Sequence, residues 1–226
     1  MVEICKILPV MDVYDRFLQD LDTWFRSVRV KYGARMQCGQ GCTDCCCGLF
    51  DVPLPDAMRV AAGFKKLNSS MRAEVLQRSS FIHAKLLESD PKLHDPFLLS
   101  SDSGKDVDRL ADRFDSVRCP FLYDDGGCLI YASRPLACIL EGVPMVDASD
   151  GQFDDWCRFN FTEGMDRVVE TDMVLDYYGI EAMVHNCTVT LLESIPALGR
   201  DPVTVFLPSI VVTYETFWEP LLRQAP

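Results

Sequence analysis

Residues 38–47, CGQGCTDCCC, hold five cysteines, and four more follow at Cys119, Cys128, Cys138 and Cys157. Sulfur at this density serves disulfide stapling, a redox-active thiol pair, or a metal or iron-sulfur centre. The C-x3-C-x2-C spacing of Cys38, Cys42 and Cys45 lets one loop present several thiolates to a single centre. Adjacent residues of an extended segment point to opposite faces, so Cys45 and Cys46 are expected to face different ways. Two arrangements stay open: a pair of four-thiolate sites, or one cluster with spare thiols. Cys47 is the expected spare. Cys5 and Cys187 stand alone among apolar or helical neighbours and read as small hydrophobes.

Composition ranks these chemistries. The chain has 226 residues, 48% of them apolar, enough for a proper core without disulfides. Its N-terminus, MVEICKILPVMDVYDRF, lacks the basic start, long apolar stretch and small-residue cleavage site of a signal peptide, so a cytoplasmic protein is expected. In that reducing compartment clustered cysteines bind metal or do chemistry. No apolar run approaches the roughly 20 residues that span a bilayer, and no membrane association is expected. A net charge of -12, from 34 acidic against 22 basic residues, opposes binding to nucleic acid. The expected partner is therefore another protein or a small molecule of unknown identity.

The elements that must position the cysteines read as mainly helical. From Asp12 to Tyr32 the residues Tyr14, Phe17, Leu18, Leu21, Trp24, Phe25 and Val28 recur at helical spacing, and Gly33 stands where a helix stops. Glycines 39, 41 and 48 let the cysteine loop curl. A second helix is expected over Asp56–Leu67. A third, capped by residues 68–70, runs to about Glu88 and is closed by Pro91. Residues 91–108 lack a period and read as a loop. FLY and LIY flank DDGG, a β-hairpin signature with Cys119 and Cys128 on either side of the turn. Pro135 suits the start of a short helix carrying Cys138. Segments 163–178 and 180–194 read as helical, whereas 202–218 is ambiguous because Val, Thr and Ile dominate it. The expected fold is mainly α, a helical domain around a cysteine-rich core with a short β-hairpin. It forms one domain over 1–226, with a metal-binding core at about 36–157 and a helical C-terminal part at about 160–226.

Two blocks, CGQGCTDCC and CPFLYDDGGCLIYASRPLAC, resemble the bacterial zinc- or iron-chelating cysteine-cluster proteins called YkgJ-like. The resemblance covers Cys38 to Cys157, and the second block is its more specific half. Family members often carry arginine directly after the third cysteine of that block; here Ile139 follows Cys138. The resemblance implies metal binding more strongly than any one reaction. One relative, the flagellin lysine methylase, carries such a region and is regarded as an iron-sulfur protein, which implies an iron-sulfur cluster ahead of zinc. CGQGCTDC is also similar to the radical-SAM motif. However, Asp44 stands where those enzymes have an aromatic residue, and helices rather than repeated strand-helix units follow. A thioredoxin-like role for Cys42 and Cys45 lacks the alternating strands and helices it would need.

The candidate ligand set is Cys38, Cys42, Cys45, Cys46, Cys119, Cys128, Cys138 and Cys157, holding an iron-sulfur cluster, 4Fe-4S favoured, with zinc as the alternative. Arg134, four residues before Cys138, could tune the centre by hydrogen bonds to sulfur, or pair with Asp124 or Asp125. His83, His94 and His185 have no ligand spacing and read as surface or capping residues. No catalytic residue can be named. The expected role is electron transfer or a cofactor module. The alternatives are a structural zinc protein and a metalloenzyme related to the flagellin lysine methylase.

Overall fold

The computed structural model describes residues 4–37, 41–90, 98–100, 104–144, 146–147, 156–199, 201 and 203–224. Helix α1 (Ile4–Tyr32) buries Tyr14, Leu18, Leu21, Phe25 and Val28, the stripe expected from the spacing. It begins well before Asp12, because Pro9 lies early in it and costs one backbone hydrogen bond without ending it. Gly33, at φ +46°, turns the chain into a short 3-10 segment and onward to the first cysteines. Strand β1 (Asp51–Pro53) leads directly into α2 (Leu54–Lys66). Asn68 caps α3 (Ser69–Ser89) by accepting a hydrogen bond from the Met71 N–H at 2.9 Å, as the cap residues predict.

The expected loop over 91–108 falls partly outside the described residues. Its remainder is ordered as β2 (Leu98–Ser100) and the start of α4 (Gly104–Arg113). Three residues are too few to show a period, and the partner that makes β2 a strand lies far along the chain. After the hairpin region come α5 (Leu136–Leu140), β3 (Val146–Asp147), α6 (Arg167–Asp172), β4 (Val174–Leu175) and α7 (Tyr177–Ser194). The helix expected over 163–178 is thus interrupted, since Asp166 caps α6, Asp176 caps α7, and β4 lies between them, parallel to β3. The ambiguous 202–218 segment resolves into β5 (Val203–Phe206), α8 (Leu207–Val212) and a wider π turn at Tyr214–Trp218, followed by α9 (Glu219–Gln224).

Strand β5 is the middle of an antiparallel sheet in the order β1-β5-β2. Around it α3 packs on α8 and α2 on both α7 and α8, while α1 packs along α7. The largest apolar cluster unites Val60, Phe64, Leu191, Ile210 and Trp218 with Phe121 and Ile130, so the hairpin region is rooted in the main core. A second cluster joins Tyr14 and Leu18 of α1 to Ile139 and Leu140 of α5 and to Cys187 of α7. Together they fix both ends of the chain segment that bears Cys119, Cys128 and Cys138. Among the described residues, no helix is long and apolar enough to cross a membrane.

Candidate metal centre

The two cysteine groups meet because their backbones pair. The Cys119 N–H donates to the Cys46 carbonyl at 2.8 Å, the Gly48 N–H donates to the Val117 carbonyl at 2.7 Å, and Cys47 bridges Arg118 in antiparallel register. Gly48, at φ +105°, permits the bend that follows. The hairpin is a single bridge, Leu122 to Cys128, closed by Tyr123 N–H to the Gly127 carbonyl at 2.8 Å. Its turn lies on the first loop: a Cβ added at Gly126 would stand 3.2 Å from Thr43 Cγ2 and 3.4 Å from the Gly41 carbonyl. From α3, Arg78 donates to the Leu122 carbonyl at 2.7 Å and reaches the Pro120 carbonyl at 3.4 Å, anchoring the Cys119 turn.

Six cysteines, Cys42, Cys45, Cys46, Cys119, Cys128 and Cys138, line one cavity of about 90 Å³. Cys45 and Cys46 both line it, contrary to the expectation that they face opposite ways. The chain turns there, with the Cys46 N–H donating to the Thr43 carbonyl at 3.0 Å, so strand alternation does not apply. Cys47 is exposed and lies off the cavity. Cys38 lies outside the described residues. Cys157 is not among the lining residues, although its N–H donates at 3.3 Å to the carbonyl of Gly142, next to the cavity-lining Glu141. Cys187 is buried 3.9 Å from the Met183 sulfur, consistent with a small hydrophobe.

Burial and neighbouring thiols both favour the protonated thiol at several of these cysteines. A hydrogen bond with Cys46 raises the Cys45 thiol most, followed by burial and the charges of Cys46 and Glu141. Burial pushes Cys119 up to about 12, and Cys128 and Cys45 add to the shift. Burial also raises Cys138, with contributions from Cys119, Cys128, Cys45 and Asp56. Cys138 is exposed as a residue although it lines the cavity. Cys128 is raised by burial and lowered by Arg134. Thiolates are the ligating form, and gathering them here requires a cation to replace the protons. The donor set therefore suits a thiophilic metal centre. Among the described residues, no three Cys, His, Asp or Glu side chains already stand at the mutual spacing of a closed metal site.

Arg134 is buried and lines this cavity, but its partner is neither Asp124 nor Asp125. It pairs with Asp22 of α1 at 3.1 Å, and its guanidinium lies 4.1 Å from the Tyr131 ring centroid. Arg118 is the group that approaches Asp124, at 4.0 Å. Arg158, next to Cys157, pairs with Asp44 of the first loop at 2.7 Å. Buried Asn160 accepts from the Gln37 N–H at 2.8 Å and donates to the Gly142 carbonyl, tying the chain before Cys38 to the chain before Cys157. Contrary to expectation, His83 is buried, with Nδ1 3.4 Å from the Ser209 hydroxyl, whereas His185 is exposed. His94 lies outside the described residues. Sequence reading missed Glu141, which also lines the cavity; its place three residues after Cys138, at the C-terminal end of a short helix, was the available signal.

A mainly helical fold gathering cysteines from two distant segments around one cavity defines a cysteine-cluster metal protein. The CxxCxxCC family, described as a "putative zinc- or iron-chelating domain", matches residues 37–158, more than half of the chain, and the chain belongs to that family. No curated protein and no solved structure gives a significant match. The matched region contains every candidate ligand and stops before α6.

Proposed function

We propose that this protein holds an iron-sulfur cluster on its cysteines and uses it in electron transfer or as a cofactor module. The observation that carries this reading is the convergence of six cysteines on one cavity of about 90 Å³. One tetrahedral zinc ion takes four thiolates at about 2.3 Å and closes on itself. Six thiols around a larger space suit a centre that includes inorganic sulfide. Cys42, Cys45, Cys46, Cys119, Cys128 and Cys138 are the proposed holding set, with Cys38 and Cys157 completing it. Arg134 offsets part of the thiolate charge from beside Cys128, and Asp22 fixes its position. When bound, such a cluster supplies one-electron chemistry at a potential set by charge, hydrogen bonds to sulfur and solvent exposure. The metal-binding core and the C-terminal helices are proposed to act as one unit, because Phe121 and Ile130 share a core with Leu191 and Trp218.

A second reading, a metalloenzyme, is favoured by the groove on the other side of Arg134. This groove of about 990 Å³ runs between α1 and α2 and shares Tyr131, Arg134 and Ile139 with the cysteine cavity. Its size is at the upper end of the range for small-molecule sites. Metal and acid-labile sulfide analysis of protein purified without oxygen, with its absorption spectrum, tests the proposal. Equal iron and sulfide with a brown colour is the expected result. A colourless protein carrying only zinc overturns it in favour of a structural zinc protein.

A further inference from the structure

We infer that the groove between α1 and α2 binds a small amphipathic acid, whose anionic head is held by Lys65 and Lys66 and whose apolar body lies against Leu8, Met11, Ala62 and Leu222. This names the ligand class for the groove of the metalloenzyme reading, on which its role as a substrate site rests; the binding itself is measured without turnover.

The chain as a whole is acidic, with 34 acidic against 22 basic residues, but this groove reverses the balance. Among the described residues, Arg26, Arg59, Lys65, Lys66 and Arg134 line it, against Asp15 and Asp22 as the only carboxylates. Both acids are engaged: Asp15 pairs with Arg59, and Asp22 pairs with both Arg26 and Arg134. Arg59 also donates to the Ala132 carbonyl at 3.2 Å, so its guanidinium is a fixed part of the wall. That leaves Lys65 and Lys66, exposed in the last turn of α2, without a lining carboxylate of their own. The helix dipole supplies only about half a negative charge at that end, so the two lysines keep a positive field over the groove. The same groove carries apolar surface. Spacings of three and four place Met58, Ala62 and Lys65 along one face of α2, and Met11, Asp15 and Asp22 along one face of α1. Leu8, Met11, Ala62 and Leu222 are only partly buried there, and a ligand that covers them gains their apolar area. A concavity with surplus cations and an apolar wall selects an anion with an apolar tail, since a cation with the same tail is repelled. Tyr131, Arg134 and Ile139 line this groove and the cysteine cavity alike, so a bound acid stands one layer of side chains from the centre.

The test titrates decanoate and decyl phosphate, below their micelle concentrations, into the full-length chain purified without oxygen and reads binding by calorimetry. The two acids tell which head group fits. Decyltrimethylammonium carries the same tail with the opposite charge, and butanoate carries a carboxylate with little tail. The better acid should bind at one site, about tenfold or more tighter than either of these, and more weakly as salt is raised. The double variant K65Q and K66Q should weaken that binding about tenfold or more, the scale of losing charged hydrogen bonds. A62F, which fills the groove and leaves both lysines, should weaken it comparably, and K85Q, a lysine of α3 away from the groove, should match wild type. Far-UV circular dichroism checks each fold. A double lysine variant or a folded A62F protein that binds the acid like wild type overturns the inference, as does decyltrimethylammonium binding as tightly as the acids. Absence of binding by both acids also overturns it and leaves the metal and sulfide analysis standing, so failure here is distinguishable from failure of the metal reading.

Discussion

The carboxylate of Asp56 accepts a hydrogen bond from the backbone N–H of Leu136 at 2.9 Å, so a fully buried acid of α2 holds the first turn of the helix that carries Cys138. The N–H groups of a first turn have no acceptor inside the helix, and a buried one must find a partner elsewhere. Asp56 is that partner. Burial raises its carboxyl to about 7, against smaller opposing effects from the Leu136 N–H and Tyr14. The folded chain therefore binds this proton more tightly than the unfolded chain, whose carboxyl titrates near 3.9. The stability contribution is fully present below about pH 4 and is lost as pH rises towards 7.

It follows that D56N, which keeps an acceptor oxygen but removes the charge, should gain stability over wild type above pH 7, on the order of 2 kcal/mol, and gain little below pH 4. D56A should lie about 1–3 kcal/mol below D56N at every pH, because it leaves the Leu136 N–H without its acceptor. Denaturant titrations of all three proteins from pH 4 to pH 8, at matched metal content, check this. A D56N advantage that does not change with pH would show that the carboxyl titrates normally.

Arg134 joins the cysteine cavity to α1 through Asp22. Arg134→Met should destabilise by about 1–3 kcal/mol, because it removes a charged hydrogen bond and the contact over Tyr131 from a mostly buried place. Arg134→Lys should recover only part of this, since an ammonium cannot reproduce the planar contact with the ring. Thermal unfolding of D22N beside the double variant reads the coupling, and strictly additive losses would mean that the pair contributes nothing.

The pair between Arg158 and Asp44 is more exposed. Its loss should cost under about 1 kcal/mol of global stability. It nevertheless ties the residue between Cys42 and Cys45 to the residue after Cys157, so R158A should speed metal release to a chelator. The difference should shrink in high salt, where exposed charges are screened. Release rates of wild type and R158A in low and high salt test this, and identical rates at low salt would refute it.

These contacts mark how far the sequence could be read. The cysteine blocks, the α1 stripe and the Asn68 cap are local patterns, carried by residue type and spacing, and the α1 stripe and the Asn68 cap stand in the fold where the spacing puts them. The partners are not local. That Cys46 pairs with Cys119, that Asp22 rather than Asp124 holds Arg134, and that β2 exists at all depend on segments brought together by the core. The reading of Cys45 and Cys46 assumed extended backbone, and the turn at Thr43 removed the premise. Glu141 was hidden in an acidic background where one carboxylate looks like any other.

The cysteine-to-serine series should separate the cavity from its surroundings. Serine keeps the size but replaces a soft thiolate with a protonated hydroxyl, so it tests ligation more than volume. Serine at Cys45, Cys46, Cys119, Cys128 or Cys138 should deplete bound metal severely, and C45S and C46S should now be alike because both residues line one cavity. C47S should retain its metal, since Cys47 is exposed and outside. Metal and sulfide counts on each variant decide the matter, and a C47S protein without metal would show that the loop turns differently from the arrangement seen here.

Metal removal should loosen the centre unevenly. Residues 41–48 are glycine- and cysteine-rich and contain no buried side chain, so little besides the metal and the pairing to 117–119 orders them. The hairpin is different, because Phe121 and Ile130 are buried in the main apolar cluster and Arg78 holds the carbonyls beside them. Chelation under reducing conditions should therefore raise amide exchange most in 41–48 and 136–141, less in 119–130, and least in α1 between Tyr14 and Leu21, whose buried face packs on α5 and α7. Exchange mass spectrometry of the loaded and stripped chains reads this order directly. Unchanged exchange in 41–48 after complete metal removal would mean that the loop is held by its backbone pairing alone.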